Sequence, residues 1–476
     1  DIHSLIKAFF PREDVKVFAD REKIVKLEEE KAPLFHMEVL FEREQNSIQI
    51  EVRDLSLKVS MEVDFEDRKE TKNRLKREIY RMFSEYTKKR LPWGTLSGIR
   101  PTKIPMGMLE EGYSEAEIRT FMRETYDCSE EKVTLSIEIA KREQALLKKI
   151  DYEHGYSLYI GIPFCPSTCL YCSFTSYPLS AWEDRMDTYL DVLEHEMDFT
   201  AEQCKGKYLN TIYIGGGTPT TLSPIQLDRL LRKIKSTFDL SYLVEFTVEA
   251  GRPDSITYEK LEVLRKHGIS RISINPQTMK QETLDIIGRH HTVEQTIESY
   301  QMARELGFDN INMDLIMGLP NEDISDVRHT MEILYELDPD NITIHSLAIK
   351  RAARLHMFKE DYRNLRMENT SEHIELTAEY CNKMGLEPYY LYRQKNMAGN
   401  FENVGYAKPG KAGIYNILIM EEKQTILACG AGSTSKRVYS SSAGKIERCE
   451  NVKDVALYIE KIDEMIERKR ALFWDL

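Results

Sequence analysis

Three cysteines, Cys165, Cys169 and Cys172, lie within one eight-residue segment that directly follows an apolar run. This spacing lets one short loop present three sulfurs to the same side. Three thiolates on a [4Fe–4S] cluster leave the fourth iron without a protein ligand, so that iron is free to bind and reduce a small molecule. The segment therefore favours redox catalysis over simple electron storage.

Two other interpretations of the three cysteines are weaker. A structural zinc site normally closes on four Cys or His ligands, whereas the next cysteine, Cys204, lies on a predicted helix with no partner nearby in sequence. Three unrelated core thiols are difficult to reconcile with such a high density. The spacing therefore favours a cluster over both alternatives.

The composition narrows the class of protein. The 476 residues are enough for two or three domains, and 41% hydrophobic with 30% charged residues is ordinary for a globular protein. The net charge of −13 argues against a nucleic-acid partner, because phosphate binding needs a basic face. Eight cysteines in so long a chain are not a disulfide scaffold, which favours the reducing cytoplasm. No apolar run approaches the length of a membrane span, so no membrane partner is predicted.

The elements that must position the cysteines come from the middle of the chain, residues 151–350. Apolar runs alternate there with amphipathic helices, one of them predicted to begin at Pro253. Six such βα units predict a parallel sheet, as a partial barrel or an open doubly wound sheet. In both folds, ligands bind at the carboxyl ends of the strands. The predicted strands are Tyr159–Ile162, Thr211–Ile214, Glu245–Val248, Arg271–Ile274, Ile311–Ile316 and Ile342–Ile344.

Residues 1–150 predict a small α+β domain. Apolar and polar residues alternate within 35–41, 48–52 and 57–65, which predicts an antiparallel meander with one buried face. A charged helix is predicted to follow over about 70–89. This domain carries no evident chemistry.

Residues 351–476 show a different pattern. The strand–helix alternation fades after about Ile349 into helices and a glycine-rich region. We interpret this part as a short α/β extension that completes the substrate pocket.

Polar residues follow the predicted strands at the edge where the cysteine loop must lie. Strand two ends in the glycine-rich segment 215–219, whose backbone can approach an amino-acid ligand closely. Glu249, Gln277 and Asp314 accompany strands three to five, and Arg289 follows strand four. Two acids and an amide can bind an ammonium and ribose hydroxyls, while arginine can pair with a carboxylate. Each residue alone is better explained by capping or an ion pair, but together they describe a pocket for S-adenosylmethionine (SAM).

The cysteine spacing, the glycine-rich segment and the sequence from Met313 to Pro320 together resemble the radical SAM superfamily. More narrowly, they resemble the oxygen-independent coproporphyrinogen III oxidase family with its HemN and HemW members, and the HemZ branch most of all. The motifs match over about 158–318, with a weaker match at 430–432. The N-terminal domain and the segment 98–103 favour the HemZ branch.

This resemblance implies a fold and a set of site residues. The fold would be a partial (β/α)6 TIM-like barrel, preceded by the α+β domain and followed by the extension. Cys165, Cys169 and Cys172 would ligate a [4Fe–4S] cluster, and Tyr159 would face the cofactor as a catalytic residue. The implied SAM ligands are Gly216, Gly217, Thr218, Glu249, Gln277, Arg289 and Asp314.

The resemblance also implies a reaction. Cleavage of SAM would give a radical that removes hydrogen from a porphyrinogen propionate, after which carbon dioxide and an electron leave. This is the oxidative decarboxylation of coproporphyrinogen III in anaerobic haem synthesis, with a flavodoxin or ferredoxin as the implied electron donor. A porphyrinogen bears several propionates, so its pocket should be locally basic. The candidate substrate ligands are Arg351, Arg354, Arg393 and Lys395.

Two departures from the family pattern leave the substrate open. Ser173 stands where the decarboxylating oxidases carry a further cysteine, and Gly161 stands where they carry histidine. One alternative is a haem chaperone like the sibling branch, in which His290, His291 or Cys429 would ligate iron. Another is a related enzyme that opens a haem ring by radical methyl transfer.

Overall fold

The chain forms two compact units. The first comprises residues 1–138 and 393–401, and the second comprises 139–392 and 402–476. No helix among the described residues is both long enough and apolar enough to cross a lipid bilayer. The structure, a computed structural model, describes residues 2–10, 13–18, 33–96, 98, 100–174, 176–348, 353–357, 364–394, 397, 401–439 and 444–473.

The first unit is built on an antiparallel meander, as the alternating residues predict. Strands β1 (Met37–Glu42), β2 (Ser47–Val52) and β3 (Leu57–Glu62) pair in that order. Alternate residues of β2 are fully buried and form one core with apolar residues of the first two helices. The helices are α1 (Ile2–Phe9), α2 (Arg68–Thr87), α3 (Lys103–Glu110), α4 (Glu115–Tyr126) and α5 (Glu130–Leu147).

The boundary between the units lies within α5, at residues 138 and 139, whereas the sequence indicated a boundary near residue 150. The carboxyl half of α5 packs within the second unit, where the Arg142 guanidinium donates to the Pro388 carbonyl at 2.6 Å. Arg142 also pairs with Glu387 at 3.1 Å. Helix α5 therefore contributes residues to both units.

One open eleven-stranded sheet organises the second unit. Its first strands, with a separate two-residue pair, are β4 (Gly155–Ile162), β5 (Phe164–Cys165), β6 (Tyr177–Pro178), β7 (Tyr208–Gly216), β8 (Glu245–Gly251), β9 (Arg271–Ile274), β10 (Ile311–Met317) and β11 (Asn341–Ser346). Strands β4, β7, β8, β9, β10 and β11 are neighbours in chain order and all parallel. This is the predicted partial TIM-like barrel, and each predicted strand is present.

Helices connect these parallel strands. They are α6 (Met186–Gln203), α7 (Pro224–Thr237), α8 (Tyr258–Lys266), α9 (Gln281–Ile286), α10 (Val293–Glu305) and α11 (Ile324–Leu337). Helix α8 does not begin at Pro253 as predicted, because Pro253–Ser255 forms a separate 3-10 turn. The Thr257 hydroxyl caps α8 instead, accepting a hydrogen bond from the Lys260 amide.

The C-terminal part of the chain supplies strands that the sequence did not reveal. They are β12 (Glu387–Tyr392), β13 (Asn403–Ala407), β14 (Thr425–Cys429), β15 (Thr434–Val438) and β16 (Ile446–Glu450). The expectation of helices and a glycine-rich region was therefore incomplete. Strands β13 and β14 are buried at every residue, so no alternation marks them. The accompanying helices are α12 (Arg354–Met357), α13 (Ser371–Lys383), α14 (Ile414–Glu421), α15 (Val455–Glu460) and α16 (Ile462–Phe473).

Strand β14 extends the parallel sheet by pairing with β4, and a buried ion pair fastens it there. The fully buried Glu196 carboxylate of α6 accepts a hydrogen bond from the Lys469 ammonium of α16. It also accepts from the Tyr458 hydroxyl at 2.5 Å, the Gly430 amide at 2.7 Å and the Asn451 side chain at 2.7 Å. Both carboxylate oxygens are satisfied, which a buried charge requires.

We expect Lys469→Met to lower the free energy of unfolding of the second unit by about 3–5 kcal/mol, because the Glu196 charge would stay buried without its counter-ion. Urea unfolding followed by circular dichroism measures the change. The matched control is Arg468→Met on the same helix, whose ion pair with Glu464 is exposed and should contribute less than about 1 kcal/mol. Equal effects of the two variants would contradict the assignment.

Candidate active site

The three cysteines lie on a loop that follows β4 and is fixed at several points. Cys169 is buried, while Cys165 and Cys172 are half-buried. The Leu170 amide donates to the Ile287 carbonyl at 2.9 Å. Leu170 in turn accepts from the Leu355 amide of α12 at 3.0 Å. The backbone therefore holds the cysteine segment against the loop after α9.

The glycine-rich segment after β7 packs directly against the start of the cysteine loop. The Gly217 amide donates to the Ile162 carbonyl at 2.8 Å, and the Thr218 amide donates to the Phe164 carbonyl at 2.7 Å. A Cβ atom at Gly217 would lie 2.5 Å from the Phe164 carbonyl oxygen. Only glycine permits this approach, which also brings the Thr218 hydroxyl to 3.5 Å from the Cys165 sulfur.

Glu249, near the carboxyl end of β8, is a half-buried carboxyl group beside the glycine-rich segment. The Tyr213 hydroxyl donates to it from the neighbouring strand. Burial, together with the charge of Asp314, raises the pKa of Glu249 to about 7, although the Tyr213 hydrogen bond acts in the opposite direction. Its protonation state therefore changes near neutral pH.

Gln277, after β9, has an unusual backbone and an unsatisfied side chain. Its φ of +67° is a left-handed conformation that residues other than glycine rarely adopt. Two hydrogen bonds hold it: the Gln277 amide donates to the Asp314 carbonyl at 2.9 Å, and the Ile316 amide donates to the Gln277 carbonyl at 3.0 Å. Its buried Oε1 has no hydrogen-bond partner. Such strain and such an orphaned acceptor are typical of a ligand site.

Asp314, in the middle of β10, is held as a carboxylate. The Asn312 side chain donates to its Oδ1 at 2.7 Å, and the His345 Nε2 lies 3.8 Å from its Oδ2. Burial opposes ionisation, but His345 and Asn312 outweigh it and hold the pKa of Asp314 below its ordinary value. Because Glu249 has a raised pKa, the two acids of the site ionise at different pH.

Arg289 is a buried cation beside the cysteine loop. Its Nη1 donates to the Asn275 carbonyl at 2.5 Å, whereas its Nε has no partner. Burial disfavours the charge, yet Tyr171 and Cys169 more than offset this and raise the pKa of Arg289. The guanidinium is thus a permanent positive charge with a free donor, as carboxylate binding requires.

Tyr159 faces the barrel interior from β4 and packs in a stack of tyrosines. Its ring centroid lies 6.2 Å from that of Tyr213 and 6.5 Å from that of Tyr415, which comes from α14. Its hydroxyl lies close to Gly216, 3.3 Å from where a Cβ atom would be. The structure therefore places Tyr159 next to the glycine-rich segment, and its catalytic role stays a prediction.

The predicted substrate ligands lie largely outside the part of the chain that the structure describes. Arg351 and Lys395 lie outside the described residues, and Arg354 begins the short helix α12. Arg393 belongs to the first unit, where its guanidinium lies 5.8 Å from the Trp93 ring centroid and its Nη1 donates to the Leu96 carbonyl at 2.5 Å. These described contacts give Arg393 a packing function, and its role toward a substrate stays a prediction.

Sequence reasoning missed two residues at this edge of the sheet. Arg252 follows β8 and donates to the sulfur of Cys169 at 3.5 Å. His345, near the end of β11, lies between Asp314 and the Tyr392 hydroxyl, which is 3.3 Å from its Nδ1. Both lie at the carboxyl ends of observed strands, and this position is the sequence signal that could have pointed to them.

Within the part of the chain that the structure describes, no group of three or more His, Cys, Asp or Glu side chains is arranged to hold a metal ion. Burial raises the pKa of Cys165, and it raises that of Cys172 to about 11. The charge of Cys169 acts in the same direction on both. Assignment of the three thiols to a cluster thus rests on their spacing, their shared loop and the chain's similarity to known proteins.

Known proteins are similar to this chain in sequence and in fold. The sequence profile of the Radical SAM superfamily matches residues 159–334. The oxygen-independent coproporphyrinogen-III oxidase-like protein HemZ of Bacillus subtilis (strain 168) is 42% identical over 84% of this chain and 81% of its own length. The heme chaperone HemW of the same strain is 34% identical over 58% of this chain and 70% of its own length.

A solved structure supports the fold. Coproporphyrinogen III oxidase (HemN) from Escherichia coli, a radical SAM enzyme, superposes with a TM-score of 0.54 at 22% identity, covering 68% of this chain and 73% of that one. The fold and the matched domain define the class as radical SAM proteins. Within that class, the chain belongs to the coproporphyrinogen-III oxidase-like family that contains HemZ.

Membership implies a [4Fe–4S] cluster and SAM as cofactors, and the residues present fit both. Three cysteine thiols on one loop are the donor set that leaves a single iron open. The unpartnered Oε1 of Gln277 and Nε of Arg289 are buried polar groups that a ligand would satisfy. The backbone cradle at Gly217 has no room for a side chain.

We expect Glu249→Gln to change how stability depends on pH in the cofactor-free protein. In the folded protein, the Glu249 carboxyl group keeps its proton up to about pH 7. In the unfolded chain, the same group loses its proton near the ordinary pKa of 4.5. The wild-type carboxyl therefore costs increasing stability as the pH rises from about 4.5 to 7. Relative to wild type, the variant should gain about 2–3 kcal/mol in free energy of unfolding between pH 5 and 8.

Anaerobic urea unfolding at several pH values measures this difference. Glu262→Gln, at an exposed position of α8, should give a pH profile parallel to that of wild type. A Glu249→Gln profile that also stays parallel would show that Glu249 titrates normally.

Proposed function

We propose that this protein is a radical SAM enzyme that oxidatively decarboxylates coproporphyrinogen III to protoporphyrinogen IX without oxygen, as a step of haem synthesis. The observation that carries the proposal is the 42% identity to the coproporphyrinogen-III oxidase-like HemZ over most of both chains. The convergence of the cysteine loop, two acids, an amide and an arginine at one edge of the sheet supports it.

The cluster residues in this proposal are Cys165, Cys169 and Cys172. Bound together, the cluster and SAM supply reductive carbon–sulfur cleavage and hydrogen-atom abstraction, chemistry that belongs to the cofactors. The polypeptide supplies position and excludes water. Anchoring of the loop at Leu170 keeps the three sulfurs on the side of the sheet where SAM would bind.

The remaining residues hold SAM in this proposal. Arg289 pairs with the methionine carboxylate through its free donor, and Glu249 accepts a hydrogen bond from the methionine amino group. Gln277 and Asp314 accept hydrogen bonds from the ribose, because one presents an unpartnered oxygen and the other is held ionised. The glycine-rich segment from Gly216 to Thr218 lines the cofactor with backbone, and Tyr159 lies below it.

The substrate side is proposed from chemistry. The propionates of a porphyrinogen need cations, and the predicted candidates are Arg351, Arg354, Arg393 and Lys395. A small flavodoxin or ferredoxin is the proposed electron donor, since the cluster needs single electrons at low potential. The reaction takes place on a small molecule, without nucleic acid.

A haem chaperone is the second candidate function, favoured by Ser173 in place of the oxidases' additional cysteine and by the similarity to heme chaperone HemW. The described contacts give it little support. Cys429 is fully buried in β14 and His291 is fully buried as well. Burial and the charge of Arg289 lower the pKa of His291 to about 3. Of the predicted iron ligands, His290 alone is exposed.

Anaerobic turnover tests the proposed function. Reconstituted protein, reductant, SAM and coproporphyrinogen III should yield 5′-deoxyadenosine together with a product that has lost two molecules of carbon dioxide and four hydrogen atoms, measured by mass spectrometry. Cys172→Ala should abolish both and lower the iron content, because the cluster loses a ligand. The control Cys381→Ala removes a buried thiol of α13. It should still form 5′-deoxyadenosine and the decarboxylated product.

Other outcomes separate the alternatives. Stoichiometric capture and transfer of haem without porphyrinogen turnover would assign the protein to the chaperones. A methylated or ring-opened haem product would assign it to the haem-modifying enzymes. Absence of 5′-deoxyadenosine under every condition would end the radical-enzyme proposal.

A further inference from the structure

We propose that Arg252 is a positioning residue for the iron–sulfur cluster. In this proposal Arg252 holds the cysteine loop in place and raises the reduction potential of the cluster by donating a hydrogen bond to Cys169. The inference rests on the proposed assignment of the three cysteines to the cluster. Arg252 lies outside the predicted SAM-binding set, so its effect on the cluster can be separated from effects on SAM binding.

The Arg252 side chain donates hydrogen bonds to three atoms of the cysteine loop. This side chain is 4% exposed, so these bonds lie away from water. Its Nη1 donates to the Ser167 carbonyl at 3.2 Å and to the Cys169 sulfur at 3.5 Å. Its Nη2 donates to the Ser167 hydroxyl at 3.0 Å, and that hydroxyl donates to the Gly288 carbonyl at 2.8 Å. One guanidinium thereby joins β8, the cysteine loop and the loop after α9.

Asp254 fixes the orientation of the Arg252 guanidinium. It accepts from the Arg252 Nε at 2.9 Å and from Nη2 at 2.6 Å, in the two-bond geometry that fixes the plane of an arginine. Burial would raise the pKa of Asp254, but the hydrogen bonds and charge of Arg252 outweigh it and hold that pKa below its ordinary value. The pair therefore stays ionised, and the remaining donor, Nη1, points at Cys169.

A buried donor at a ligand sulfur has a predictable electrical consequence. Reduction adds negative charge to the cluster and its thiolates, and a hydrogen bond from a cation stabilises the reduced form more than the oxidised form. Low local polarity strengthens this preference. Arg289 also lies beside Cys169, but it is a predicted SAM ligand, so Arg252 gives the cleaner test.

The experiment is a redox titration of the anaerobically reconstituted full chain without SAM. The [4Fe–4S] signal is followed by electron paramagnetic resonance as the applied potential is lowered. We expect the midpoint of Arg252→Gln to shift to a lower potential than that of wild type. The control Arg232→Gln removes an arginine from an exposed ion pair on α7 and should leave the midpoint unchanged. An unchanged midpoint in Arg252→Gln with a full cluster would overturn the proposal.

Two further variants distinguish tuning from a purely structural role. Ser167→Ala removes the hydroxyl contact and keeps the donor to Cys169, so it should lower thermal stability or cluster occupancy with a smaller shift of the midpoint than Arg252→Gln. An equal shift would make loop order the cause and contradict the tuning. If Arg252→Gln takes up no cluster, the midpoint potential of Arg252→Lys is measured instead, and a shift to lower potential is again expected. If neither variant takes up a cluster, Arg252 serves the structure of the loop alone. Failure of the wild type to assemble a cluster would instead overturn the proposed site.

Discussion

The site depends on one constraint, the parallel direction of neighbouring strands in the central sheet. Because β4, β7, β8, β9 and β10 all run the same way, their carboxyl ends meet along one edge. Residues that are far apart in sequence therefore become neighbours there. The close approach at Gly217, where any Cβ would collide with the Phe164 carbonyl, then joins the glycine-rich segment to the cysteine loop.

Several groups of the site lower the stability of the folded protein before any ligand binds. Gln277 is held with a positive φ and an unpartnered oxygen, and Arg289 keeps an unpartnered nitrogen. The raised pKa of Glu249 is a further cost of desolvation. Such groups destabilise a fold unless something stabilises the frame around them. The hydrogen bonds that satisfy the Glu196 carboxylate, and that hold β14 beside β4, are part of that frame.

The sequence predicted the barrel strands and the residues at their ends because apolar runs bounded by polar motifs mark both. Strands β13 and β14 escaped prediction because they are buried on both faces and show no alternation. Arg252 escaped because an arginine near a strand end is more often an exposed ion pair. The position of Arg393 in the first unit depends on a return of the chain that no local pattern records.

The central claim is that the polypeptide leaves one iron of a four-iron cluster open for SAM. Mössbauer spectroscopy of protein reconstituted with iron-57 and held oxidised, recorded before and after addition of SAM, tests this claim most directly. The account predicts that the spectrum of one iron in four changes, because the amino and carboxylate groups of SAM bind to that iron alone. Four irons whose spectrum is unaffected by SAM would contradict it.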